Sequence, residues 1–147
     1  MIKVVAVLLF LSLISMAALH AFWAFGGLWP GSTERELIDT VVGDPRLQEM
    51  PSQVLTVFVA AMLLTSAVIA LFAGGLLTAP GWLAISASMA VGIVFLSRGI
   101  VGLFFFEKVF WQSVEPFTTL NLRYYSPLCL ALGVGFLILA VSRIIAK

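Results

Sequence analysis

The chain reads as an all-α protein, a bundle of four transmembrane helices with one short extra helix in its first long loop. Three observations predict this. Of 147 residues, 62% are hydrophobic and only 10% charged, against about 45–50% and about 25% in a soluble domain, so lipid must be the solvent for most of the surface. Four mostly apolar runs each reach the roughly 17–25 residues that a helix needs to cross a bilayer. Ionisable residues lie between these runs or at their ends, with two interior exceptions, His20 and Arg98. The whole chain, 1–147, is expected to form a single membrane domain.

The first span covers residues 2–25. Its Lys3 and Ser15-Met16-Ala17 resemble parts of a signal peptide, but secretory apolar runs are about 7–15 residues long. This one continues through Phe22, Trp23 and Phe25, aromatics suited to a membrane interface, so it is expected to be a retained anchor. In the loop 26–52, Thr33-Glu34-Arg35-Glu36 fits a capping box. Leu37, Ile38, Val41 and Val42 then form an apolar stripe that Gly43-Asp44-Pro45 ends, which predicts a short helix lying on the mouth of the bundle.

The second span, 53–77, places Ala60, Ala67 and Gly74 seven residues apart, joined by Thr56, in a thin small-residue stripe. Thr78-Ala79-Pro80-Gly81 is a tight turn that stops both flanking helices. The third span, 82–106, carries Ser88, Gly92, Gly99 and Gly102 within about 80° of arc. The loop 107–126 is aromatic, and with the preceding residues it gathers Phe104, Phe105, Phe106, Phe110, Trp111, Phe117, Tyr124 and Tyr125 near one interface. The last span, 127–145, is expected to start at Ser126 as N-cap with Pro127 in the first helical position. Its Cys129, Gly133 and Ala140 complete the small-residue stripes, which in lipid hold helices together by close van der Waals contact.

This order puts both long loops on one side of the membrane and both termini on the other. All seven acidic residues fall on the loop side. Basic residues near the helix ends divide into Lys3, Arg143 and Lys147 against Arg35, Arg46, Lys108 and Arg123, the second set diluted over the long loops. Termini in the cytoplasm are therefore expected. The net charge of +1 offers nothing to nucleic acid, and a single cysteine, Cys129, excludes an internal disulfide and a Cys-x-x-Cys redox or zinc site. No P-loop, dinucleotide fingerprint or His-Glu-x-x-His motif is present, and no cofactor or metal is expected.

His20 and Arg98 carry the functional question. An ionised side chain inside a span costs roughly 2 to 3 kcal/mol, so each needs a partner. Ser12, Met16, His20, Trp23 and Gly27 share about 80° of the first helix, a face expected to point into the bundle. His20 and Arg98 lie at similar depth, about 9 Å from the loop-side mouth, and so could be neighbours. No acid lies inside any span to neutralise Arg98. Its partner must come from Glu107, Glu115 or the first-loop acids, from backbone carbonyls, or from a bound anion. Trp23, Asn121, Arg123, Tyr125 and the positive N-terminus of a helix starting at Ser126 belong to the same level and complete an anion-friendly, aromatic mouth.

Two clusters resemble a known family. His20-Ala21-Phe22-Trp23-Ala24-Phe25-Gly26-Gly27 is similar to the His-x-x-Trp-Ala-x-Gly-Gly opening of a group of small four-span bacterial membrane proteins catalogued as a domain of unknown function. Phe117 to Leu130, with Tyr125-Ser126-Pro127-Leu128-Cys129-Leu130 at its end, is similar to that family's second signature. Arg98 and Gly102, followed by Phe105, Phe106 and Lys108, match a third and weaker pattern. Asn121 stands where the family usually has an acid, which removes a counter-charge for Arg98 or Arg123. The resemblance implies a four-helix integral membrane protein of the bacterial envelope, in the inner membrane, with no activity to transfer.

Three functions compete. The first is a non-enzymatic envelope protein binding a membrane lipid or an amphipathic anionic small molecule through His20, Trp23, Arg98, Asn121, Arg123, Tyr125 and Ser126. The second is an intramembrane enzyme with His20 as general acid or base, weakened by the lack of a companion carboxylate in the membrane. The third is a structural or regulatory subunit, or a small transporter, forming homo- or hetero-oligomers through its small-residue stripes.

Overall fold

The computed structural model describes residues 1–145, so Lys147, one of the basic residues used above for orientation, lies outside the described residues. Four helices are long and apolar enough to cross a membrane. They are α1 (Ile2–Ala24), α3 (Gln53–Ala73), α4 (Gly81–Phe104) and a final helical run, Phe117–Ile145. The short loop helix is α2 (Glu34–Val41), and α5 (Phe106–Val109) is a single turn after α4. The final run divides into α6 (Phe117–Leu120), a π-helical turn (Asn121–Tyr125) and α7 (Ser126–Ile145).

Chain chemistry explains the ends. α1 and α3 both close in a Schellman arrangement on a glycine, Gly26 at φ 87° and Gly75 at φ 70°. The following N–H groups, of Gly27 and Leu76, return to Phe22 O and Leu71 O at 2.9 Å each. Ser52 Oγ accepts from the Leu55 N–H at the start of α3. Thr33 Oγ1 caps α2 by accepting from Glu36 N at 3.2 Å, while the Glu36 carboxylate reaches one residue further back than a capping box requires, to Ser32 N at 2.8 Å. Leu37 and Ile38 are buried, so α2 lies on the bundle as its stripe predicts.

The largest departure is at the last span. The helix does not begin at Ser126 but at Phe117, nine residues earlier, and the loop 107–126 is helical over that stretch. Ser126 is wholly buried and is no N-cap. A proline inside an α-helix lacks an N–H and drives its ring against the carbonyl four residues back, which is why Pro127 looks like a start. Here the preceding turn widens to i→i+5 geometry, with the Ser126 N–H bonded to Asn121 O, and the chain passes through the proline position as helix. The positive helix N-terminus expected at this level is consequently absent from it.

The four long helices form two tight pairs, α1 with α3 and α4 with α7, that meet more loosely along α1 and α7. Small residues set both pairs. A Cβ built on Gly74 would overlap Ala6 Cβ, and Gly92 approaches Gly133 O to 3.2 Å from its own Cβ position. Between the pairs Leu9, Leu13, Leu63, Leu132, Phe136 and Leu139 fill the core. The buried stripe of α1 is Ala6, Leu9, Leu13, Ala17 and Ala24. The Ser12, Met16, His20 and Trp23 face flanks it and is half-buried, because close approach selects the smallest residues and not the polar ones. At the end bearing the termini, Arg143 donates to Phe72 O at 2.6 Å and Ala73 O at 2.9 Å, tying the last turn of α7 to the C-terminal carbonyls of α3.

Candidate functional site

Arg98 leaves α4 one turn before Gly102 and is half-buried. Its Nη2 donates to Asn121 Oδ1 at 3.1 Å, and its Nη1 makes a long 3.5 Å contact with Ser126 Oγ. Ser126 Oγ also donates to Asn121 Oδ1 at 2.9 Å, while Asn121 Nδ2 donates to Gly102 O at 2.8 Å. A guanidinium can only donate, so the Asn121 carbonyl oxygen must face Arg98 and the orientation of the amide follows. The π turn is what aims Asn121 and Ser126, five residues apart, at the same point. Gly102 has no room for a side chain, since a Cβ there would overlap both Ser126 Oγ and Arg98 Nη1.

No carboxylate enters this node. Among the described residues the ion pairs are Arg35 with Asp39 and Arg46 with Asp44. The other acids named above as partners are mostly engaged as well: Glu34 accepts from Met50 N, Glu36 from Ser32 N, and Glu115 from Thr119 N and Oγ1. Arg98 is thus solvated by one amide and, at long range, one hydroxyl, with the Phe106 ring centroid 5.8 Å from its guanidinium carbon.

Beside it runs a groove of about 240 Å³ lined by Val41, Val42, Phe106, Phe110, Trp111 and Phe117 as well as Arg98. Its roof is α2, held by two links: Tyr125 donates its hydroxyl to Thr40 O at 3.1 Å, and Val114 N to Gly43 O at 3.2 Å. Phe117 fills the space against Gly43, where any side chain would overlap it.

The structure brings together Arg98, Asn121 and Ser126, and ties Tyr125 to the helix that roofs the groove beside Arg98. It does not bring His20 to them. His20 Nδ1 bonds Met16 O of its own helix at 2.8 Å, and its ring meets Trp23 edge-on at 5.0 Å. Trp23 donates to Trp29 O at 2.7 Å and lines a separate groove with Glu34, Met50 and Gln53. Arg123 points away on the exposed side of the π turn. Sequence reasoning passed over Trp111 except as a belt aromatic. Its indole Nε1 is fully covered without an acceptor among the described residues, a fact that only the fold of the 105–116 segment creates.

Asp44 steadies this segment from the first loop. Its buried carboxylate accepts from Arg46 Nε at 2.9 Å and Nη2 at 2.8 Å, and the Arg46 guanidinium lies 6.0 Å from the Trp111 centroid. Those hydrogen bonds hold the Asp44 carboxyl below the usual carboxylate range, with burial opposing them. A depressed folded-state value means the contribution is present above the unfolded carboxyl value and is lost as pH falls through the folded one. Trp111 fluorescence is therefore expected to be flat through neutral pH and to shift only in acid. Asp44→Asn should show the acid spectrum at neutral pH, and a transition near neutrality in the native protein would contradict the assignment.

Four apolar helices around a core of leucine and phenylalanine, with Arg98 inside a span and paired with no acid among the described residues, are consistent with the class of small multi-pass membrane proteins. The chain belongs to the family described as protein of unknown function DUF3995, whose model matches residues 13–136. Every candidate site residue falls within that range. No curated protein and no solved structure matches the chain.

Proposed function

We propose that the protein is a non-enzymatic cell-envelope protein of the bacterial inner membrane that binds a lipid or amphipathic anion at the loop-side end of its bundle, with Arg98 as the anchoring charge. One observation carries the reading: a permanently charged guanidinium at membrane depth has an amide and a hydroxyl for partners, no carboxylate, and an aromatic groove beside it. A residue that cannot shed its proton and has no counter-charge among the described residues favours an anion there. Asn121 and Ser126 orient the guanidinium, and the aromatic walls suit an apolar tail. Termini in the cytoplasm place this mouth on the outer side of the membrane.

His20 supports the alternative of catalysis poorly. Its Nδ1 is spent on its own helix, and Trp23 rather than an acid lies against its ring.

The test is the lipid that accompanies the purified protein. Protein isolated in mild detergent should retain anionic amphiphile detectable by native mass spectrometry, and Arg98→Gln should weaken that retention about 10- to 100-fold, the range for a hydrogen bond to a charged group. Equal retention by both proteins would remove the proposal.

A further inference from the structure

The two edges of the Arg98 guanidinium have different surroundings. Its end is occupied. Nη2 donates to Asn121 Oδ1 at 3.1 Å, Nη1 reaches Ser126 Oγ at 3.5 Å, and those acceptors are joined to each other at 2.9 Å, so they stand side by side across the two terminal nitrogens. That end is also closed to any ligand. Asn121 is 2% exposed, Ser126 is wholly buried, and even a Cβ on Gly102 would overlap Nη1.

The side edge is open. Nε–H makes no hydrogen bond among the described residues, and Nε is not sealed over by protein as the orphaned Trp111 Nε1 and Ser88 Oγ are. The groove that Arg98 lines with Phe106 includes neither Asn121 nor Ser126, so the occupied end is turned from it. In a planar guanidinium the Nε–H runs parallel to the outer N–H of the neighbouring Nη2. That pair is spaced for two oxygens carried on one atom. By using the end for structure and leaving the side free, the fold turns a five-donor cation into a two-donor fork of fixed direction.

We infer that the side edge of Arg98 is a two-point oxyanion fork, and that its ligand presents two oxygens of one negatively charged group, a carboxylate or a phosphate, to Nε–H and Nη2–H. This rests on the reading of Arg98 as an anion anchor, and deepens it: the fork selects, not the charge alone. A lysine at this position keeps the charge but is a point donor without the fork. Fatty acids and anionic phospholipids both carry a group of this kind.

The experiment is a titration of the full chain in mild detergent, read by native mass spectrometry, with three amphiphiles of matched chains: palmitate, dipalmitoylphosphatidylglycerol and uncharged monopalmitoylglycerol. At least one of the two anions is expected to bind about tenfold or more tightly than monopalmitoylglycerol, and the tighter one names the group that the fork takes. Arg98→Lys should weaken that anion about tenfold or more, as Arg98→Gln does, since a charge-assisted hydrogen bond is lost with the fork. A second readout is independent of any variant's folding. The Nε ¹⁵N–¹H resonance of Arg98 in the native protein, identified by its absence from Arg98→Lys, should move downfield at saturation with that anion and stay in place with monopalmitoylglycerol. Arg98→Lys binding within about twofold of the native protein, or an unmoved Nε resonance at saturation, overturns the fork, and the anchor then stands if Arg98→Gln still loses the anion. Normal binding by Arg98→Gln, or neither anion exceeding monopalmitoylglycerol, overturns the anchor as well.

Discussion

Asn121→Leu is expected to destabilise the protein by about 3 kcal/mol, the upper end for losing a hydrogen bond to a charged group. Asn121 is 2% exposed, and three groups depend on it at once: the Arg98 guanidinium, the Ser126 hydroxyl and the Gly102 carbonyl. Leucine has similar volume and suits lipid better, so a simple account by hydrophobicity predicts stabilisation. The opposite sign is expected because Arg98 stays charged and loses its nearest acceptor. Arg98→Met in the same background removes the stranded charge and should recover more than half of the loss. The coupling between the two positions is then about 2 kcal/mol or more, read from unfolding of the four proteins in one detergent. Additive effects would mean that the 3.1 Å contact carries little energy.

That node also marks the limit of what the sequence reveals. The four spans follow from length and hydropathy, and the pairing stripes from glycine and alanine spacing, because lipid leaves close contact as the main organising force. Arg98, as a charge without an acid in any span, is equally visible in one dimension. Its partners are not. Asn121 lies in a stretch that reads as loop because Pro127 looks like a helix start, and only the π turn at 121–125 carries the helix past it. His20 stands apart from Arg98 for a different reason. Its depth matches that of Arg98, yet depth says nothing about azimuth, and the face that enters the core is set by Ala6, Ala17 and Ala24. The sequence shows which side chains need partners, whereas the partners themselves depend on contacts between distant helices.

The second large effect is expected at Gly133, one of the glycines at which α4 and α7 are in close contact. A Cβ on Gly133 would sit 2.7 Å from Leu96 Cγ and 2.9 Å from the Leu96 backbone nitrogen. A side chain can swing aside, but backbone cannot, so the helices must separate. Gly133→Val adds two further methyl groups to that collision and should cost at least the upper end of the roughly 1–3 kcal/mol typical of overpacking. Gly135 supplies the control two residues along the same helix. A Cβ there meets only the tip of Leu9, its Cδ2 at 2.9 Å, which can rotate. Both positions gain about 1 kcal/mol of helix propensity on Gly→Ala. Gly135→Ala is therefore expected to be near neutral, and Gly133→Ala clearly destabilising, when their unfolding is compared in detergent. The consequence reaches the site, since Gly99 and Gly102 continue the same interface toward Leu130 and Ser126. Forcing α4 away from α7 at Gly133 draws Arg98 off Asn121, so Gly133→Val should lose anion binding although Gly133 lines no part of the groove. Retained binding in a destabilised Gly133→Val protein would show that the site is organised by the π turn alone and does not depend on how closely the two helices pack.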